Sequence, residues 1–247
     1  HHHPRAASHL FNRYLEATSE DSALTLWPLL LALRATIRGM ASAGAGSRAR
    51  AARYREVAEA AIAIKKRRLW VAIGGLSGSG KSTVSRILAP ILYPAPGALW
   101  LRSDGIRKRL FGRLPEERLE NPDAYAPAAH ARTYRRLLSR ARFAAHAGWP
   151  AILDATWIHA GTRDRLDDLA GHLDIPLLRF WIDAAPKTLR QRVADRQGEA
   201  SDADLKVLEG QLAQWQGVPP GWTALPGEES PQELAERIVT AANLADK

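Results

Sequence analysis

Leu69-Trp70-Val71-Ala72-Ile73-Gly74-Gly75-Leu76-Ser77-Gly78-Ser79-Gly80-Lys81-Ser82-Thr83 is the stretch on which the fold turns. A short β-rich apolar run passes at once into a glycine- and serine-rich loop, and Gly75 to Ser82 satisfies the spacing G-x-x-x-x-G-K-[ST]. Val84, Ile87, Leu88 and Ile91 then recur at helical spacing, and Pro94 closes the helix. Such a strand–loop–helix junction suits phosphate. Glycines let backbone N–H groups converge on phosphate oxygens without intervening side chains, and the helix N-terminus adds partial positive charge there. Gly75, Ser77, Gly78, Ser79, Gly80, Lys81, Ser82 and Thr83 are therefore the candidate nucleotide contacts. Lys81 is expected to reach the β- and γ-phosphates and the Ser82 hydroxyl to ligate Mg²⁺.

Downstream, strand and helix alternate. Ala98 to Leu101 reads as a strand running into Asp104, Ala128 to Ala147 as a long helix closed by Gly148, and Ala151 to Leu153 as a strand ending in Asp154. A helix to about Leu173, a strand from Leu177 to Ile182, and helices over Lys187–Arg196 and Ala203–Gln214 follow. This pattern predicts an α/β, three-layer P-loop NTPase fold with a parallel sheet and ligands beyond the carboxyl ends of its strands. Residues 66–247 form the predicted nucleotide-binding domain. Residues 1–65 read as a small helical segment in which Leu10, Phe11, Tyr14 and Leu15 share a face, and Ala41 to Arg50 reads as a flexible joint.

Acids at strand ends carry the remaining chemistry. Asp154 closes an apolar strand and is the candidate Mg²⁺ acid. Ala155 follows it, so no second acid is present to polarise a hydrolytic water, and no N-K-x-D guanine signature occurs. Both observations argue against motor ATPases and GTPases. Asp104 is the candidate general base for a hydroxyl acceptor, or else a helix cap, and Arg102, Arg107, Lys108 and Arg109 beside it are candidates to grip an anionic acceptor. Arg192 and Arg196 lie four apart on one helical face, where they are expected to close over the transferring phosphate; Arg190 is nearby. Of the eight tryptophans, Trp70, Trp100 and Trp181 are expected in the core, while Trp157, Trp215 and Trp222 are candidates to stack on a base. His130, His146, His159 and His172 show no metal-ligand spacing.

Composition sets the bounds. The 247 residues include 35 Lys plus Arg against 26 Asp plus Glu, a formal charge of +9 that fits a phosphorylated ligand, nucleic acid or simply an arginine-rich composition. There is no cysteine, which excludes disulfides, zinc–thiolate sites and thiol catalysis. The longest apolar run, Leu24 to Leu33, contains Pro28 and stops at Arg34, too short to span a membrane. A cytoplasmic location with no membrane partner is the expectation.

Four stretches resemble a known family: residues 75–83, Leu101 to Gly112 (Leu-Arg-Ser-Asp-Gly-Ile-Arg-Lys-Arg-Leu-Phe-Gly), Leu153 to Trp157 (Leu-Asp-Ala-Thr-Trp) and Ala200 to Asp204 (Ala-Ser-Asp-Ala-Asp). They look like the P-loop kinase domain of AAA-family ATP-binding proteins, as fused behind aminoglycoside-phosphotransferase-like domains. Asn12 to Glu16 and Leu29 to Arg38 resemble the last helices of that upstream domain. The resemblance implies an adenylate-kinase-like fold, ATP with Mg²⁺, a nucleotide loop over Gly75–Thr83, a Mg²⁺ acid at Asp154, a substrate-side acid at Asp104 and lid arginines at Arg192 and Arg196. The upstream domain's catalytic motifs are absent, so residues 1–65 are not expected to carry its chemistry. Trp157 stands where the family pattern has a smaller residue. The leading expectation is an ATP- and Mg²⁺-dependent phosphotransferase acting on a hydroxyl of a small molecule. A polynucleotide 5′-hydroxyl kinase or nucleic-acid-binding protein, and a non-catalytic ATP-binding module serving an upstream domain, are the alternatives.

Overall fold

The computed structural model describes residues 3–119, 121–195 and 205–245. Its centre is a five-stranded sheet, all parallel, in the order β2-β3-β1-β4-β5, with β1 Trp70–Gly74, β2 Leu99–Arg102, β3 Ala151–Asp154, β4 Leu177–Asp183 and β5 Thr223–Pro226. β1 and β3 are buried along their whole length, which explains why they read as unbroken apolar runs rather than alternating ones.

The strand order dictates where the helices go. From β1 the chain moves two places to β2 through α4 (Lys81–Leu92). It returns one place to β3 through α5 (Ser103–Leu110) and α6 (Pro127–Ala147). Right-handed crossovers in opposite directions put α4 and α6 on opposite faces. α7 (Ala160–His172) lies beside α6, whereas α10 (Pro231–Leu244) crosses back to pack on α4. Three layers result, as the alternating pattern predicts.

Several local readings need correction. α4 buries Val84, Ser85, Leu88, Ala89 and Leu92, while Ile91 faces solvent. A fifth strand, missing from the strand and helix alternation read in the sequence, forms the sheet edge as β5. α10 begins with a capping box, Ser230 bonding the Glu233 N–H while Glu233 bonds back, with Pro231 at its first position. The joint over residues 41–50 is mostly helix: α2 (Ala23–Gly44) and α3 (Arg48–Ile62) are separated by residues 45–47 alone, as an alanine-rich sequence favours.

α1 (Pro4–Thr18) presents a different face from the one its apolar residues suggest. Leu10 and Tyr14 are exposed, and Ser8, Phe11, Asn12, Leu15 and Glu16 are buried. Two polar members of that face, Asn12 and Glu16, have partners on β2 or at its edge. The Asn12 side-chain amide donates to Ala98 O at 3.1 Å and accepts from the Trp100 N–H at 2.7 Å, pairing the outer edge of β2 as a neighbouring strand would. Behind α1, the buried guanidinium of Arg140 on α6 grips Asp21 through two bonds of 2.6 and 2.7 Å and also donates to Leu15 O. Phe11 packs edge-on against Trp27 at 4.8 Å. α2 and α3 pair through a small alanine cluster, Ala32, Ala35, Ala58 and Ala61. No helix among the described residues is long and apolar enough to cross a membrane.

Candidate nucleotide and acceptor site

The glycine loop leaves the carboxyl end of β1 and closes on the first residue of α4, which is Lys81. Gly75 (φ +139°) has no room for a side chain, since a Cβ would stand 2.6 Å from Ile182 O. Gly80 (φ +97°) is the converse: a Cβ there meets nothing within 4 Å and would project into open space at the helix N-terminus. That space lies beside the N-terminus of α4, where the unpaired N–H groups of a helix's first turn suit the phosphates of a nucleotide. The Lys81 ammonium donates to Leu76 O at 2.8 Å, and the N–H of Ser77 donates to the side-chain oxygen of Gln211 at 2.8 Å. Gln211 belongs to α9 (Leu205–Gln214), which returns over the loop.

Loop, strand ends and α9 enclose a cleft of about 540 Å³. Ser77, Gly78, Gly80, Lys81, Ser82 and Thr83 line it together with Asp154, Asp104 and Arg107. Asp154 is nearly buried and stands in register between Ile73 of β1 and Arg102 of β2. Its Oδ2 accepts from the indole N–H of Trp100 at 3.1 Å, and Trp100 also carries the Arg102 guanidinium over its ring at 5.3 Å. Trp100 thus lies at the site rather than wholly within the core. Among the described residues no cluster of three or more His, Cys, Asp or Glu side chains is able to cage a metal. Ser82 and Asp154 in one cleft suit a Mg²⁺ that takes its other ligands from phosphate and water.

Asp104 sits in the first turn of α5 and is not its cap; the N-cap is Arg102, and no side chain bonds there. The Asp104 carboxylate lies 3.6 Å from the Arg102 guanidinium and 3.8 Å from the Lys108 ammonium. Arg102 in turn stands 3.5 Å from Glu16 of α1. Lys108 is fully buried and bonds Pro115 O, so it braces the local structure, and Arg109 points to solvent. Arg107 alone of the following basic residues lines the cleft, its guanidinium stacked 5.0 Å above the ring of Tyr125.

Thr156, from the stretch Leu153 to Trp157, lines the cleft too, and other residues complete it without having been marked by any motif: Arg86, Tyr125, His130, His159, Lys206, Gln211 and Gln214. His130 stacks on Tyr134 at 4.4 Å and meets His159 edge-on at 4.8 Å. Burial, reinforced by the charges of His159 and Arg107, lowers its pKa to about 4. The base-stacking expectation for Trp157 and Trp222 fails. Trp157 is fully buried in a left-handed conformation (φ 53°), its indole donating to Leu153 O, and Trp222 packs between it and Trp181. Trp215 is half-buried and does not line the cleft.

The arginines after β4 are engaged elsewhere. On α8 (Pro186–Ala194), Arg190 forms a two-pronged ion pair with Glu209 of α9, and Arg192 donates to Gly227 O at 3.0 Å, outside the cleft lining. Arg196, and the motif at 200–204, lie outside the described residues.

Sheet order, glycine loop and neighbouring strand-end acid together define a P-loop α/β protein of kinase-like topology. The chain belongs to the AAA_33 family, an AAA domain, whose model matches residues 69–218. Three solved structures show the same fold. The APS kinase CysC of Mycobacterium tuberculosis, in complex with AMPPNP and APS, is similar at 21% identity over 72% of this chain and 99% of that one, with a TM-score of 0.55. A sugar kinase from Janibacter sp. HTCC2649 is similar at 21% over 72% and 95%, with a TM-score of 0.51. Kti12 of Chaetomium thermophilum, in complex with ADP-AlF3, is similar at 16% over 71% and 98%, with a TM-score of 0.54. No curated protein is significantly similar to the chain.

Proposed function

We propose that the protein is an ATP- and Mg²⁺-dependent phosphotransferase that moves the γ-phosphoryl group to a hydroxyl of a small-molecule acceptor. One observation carries the reading: the loop lysine Lys81 and the α5 residues Asp104 and Arg107 line the same cleft, so a phosphate donor and a hydroxyl acceptor have room to meet. Two of the structures with this fold are kinases of small molecules, a sugar kinase and an APS kinase, which supports the choice of acceptor class.

In this reading the loop amides and Lys81 hold the β- and γ-phosphates, and Arg107 holds the acceptor. Bound Mg²⁺, held by Ser82 and Asp154, supplies charge neutralisation on the phosphates. Asp104 accepts the proton of the acceptor hydroxyl as its oxygen bonds to the γ-phosphorus, and the bond from that phosphorus to the β,γ-bridging oxygen breaks to release ADP. The Arg102 guanidinium and the Lys108 ammonium flank the Asp104 carboxylate and fix its position for that role.

Asp104→Asn tests this directly. The expected result is a fall in kcat of about 10²- to 10⁴-fold, the usual contribution of a general base, with nucleotide affinity within threefold of wild type. Wild-type transfer rates in that variant remove Asp104 from the chemistry.

A further inference from the structure

The bond between α9 and the phosphate loop carries a consequence that rests on the nucleotide reading above. Leu76 O and Ser77 N–H are the two polar ends of one peptide group, and Lys81 takes one while Gln211 takes the other, each at 2.8 Å. The ammonium that serves the terminal phosphates and the Gln211 amide are therefore anchored on opposite sides of the same planar unit.

A backbone N–H can only donate, so the Gln211 oxygen must face Ser77. Its amide nitrogen, with two hydrogens, is then turned from the Ser77 N–H, on a residue that lines the cleft. α9 holds it there through Leu208, fully buried in the core, and through the Arg190–Glu209 pair. Among side chains of this length, only glutamine accepts from the loop and donates to an anion at once. Glutamate in its place would accept from Ser77 but set a negative charge against phosphate. Alanine would leave Ser77 to water.

We propose that Gln211 reads the terminal phosphate: anchored on Ser77, it donates to the γ-phosphate and so lets α9 distinguish ATP from ADP. Arg192, which the sequence marks for such a role, is held at Gly227 O instead.

The test is the affinity of the full chain for ADP and for the non-hydrolysable analogue AMPPNP, measured by calorimetry with Mg²⁺ for wild type, Gln211→Ala and Gln211→Glu. Loss of a hydrogen bond to a charged group corresponds to a fall of about 10- to 100-fold in affinity. Gln211→Glu is expected to show at least that for AMPPNP, and Gln211→Ala somewhat less, with ADP binding within threefold of wild type in both. A residue that merely docks α9 weakens both nucleotides alike. Parallel losses, or no loss, overturn the inference while the nucleotide reading stands. A wild-type chain that binds neither nucleotide overturns the proposed function and this inference with it.

Discussion

Lys81 and Asp154 are held ready by groups that the glycine-loop motif does not name: the Lys81 ammonium by Leu76 O at 2.8 Å, and the Asp154 carboxylate by the Trp100 indole at 3.1 Å. The two side chains that the fold brings to the phosphate end of the cleft thus each have a fixed starting position. In the proposed reaction, orienting them in advance would lower the cost of assembling a charged complex around triphosphate and metal.

Trp100→Phe keeps the ring beneath Arg102 and removes only the N–H donated to Asp154. Outer partners of metal-ligating carboxylates typically affect metal affinity by about 10- to 100-fold. The Mg²⁺ concentration for half-maximal turnover is expected to rise by about tenfold, with the saturated rate within a few-fold of wild type. A Mg²⁺ titration of both proteins measures it, and superimposable curves would remove Trp100 from the metal site.

Arg107→Gln keeps a polar side chain over Tyr125 but loses the charge. If the acceptor's anionic group is bound there, KM for it rises about 10- to 100-fold while KM for ATP stays within threefold. Matched acceptors with and without an anionic group decide the point: the variant discriminates between them less than wild type does.

Asn12→Ala leaves Ala98 O and the Trp100 N–H on the edge of β2 without their partner. Unfolding free energy is expected to fall by about 1–3 kcal/mol, read from urea denaturation. Because Trp100 also serves Asp154, the same variant should raise the Mg²⁺ requirement. A loss of stability with an unchanged Mg²⁺ requirement would confine α1 to a structural role.

His130 has a folded pKa of about 4, below its ordinary value of 6.5. Between these values the unfolded chain binds a proton that the folded chain refuses, so stability falls as pH drops through that window. Above about 6.5 both states are neutral and the effect vanishes. Denaturation midpoints measured from pH 7 to 4 are expected to decline less steeply in His130→Gln than in wild type.

How much of this was legible in sequence depended on how local each feature is. The loop from Gly75 to Ser82 folds on itself, and Asp154 is marked by the apolar run that precedes it, so both were readable. α6 was readable from its long periodic stretch and the closing Gly148, which adopts the left-handed conformation. β5 was not, because four residues beside Pro219 and Gly221 carry too little pattern to outweigh their turn-forming neighbours. The burial of Asn12 and Glu16 was hidden because their partners, the edge of β2 and Arg102, exist only in the folded chain. Gln211 is the extreme case. It sits 134 positions from the loop residue it bonds, on a helix whose sequence reads as an ordinary surface helix.

The most direct test of the central claim is ATP consumption with Mg²⁺ by the whole chain, alone and with pooled sugars, aminoglycosides, nucleosides and 5′-hydroxyl oligonucleotides, for wild type and Lys81→Ala. The account predicts ADP release stimulated by a small-molecule pool and abolished in Lys81→Ala. Undiminished turnover in Lys81→Ala, or stimulation confined to the oligonucleotides, would contradict it.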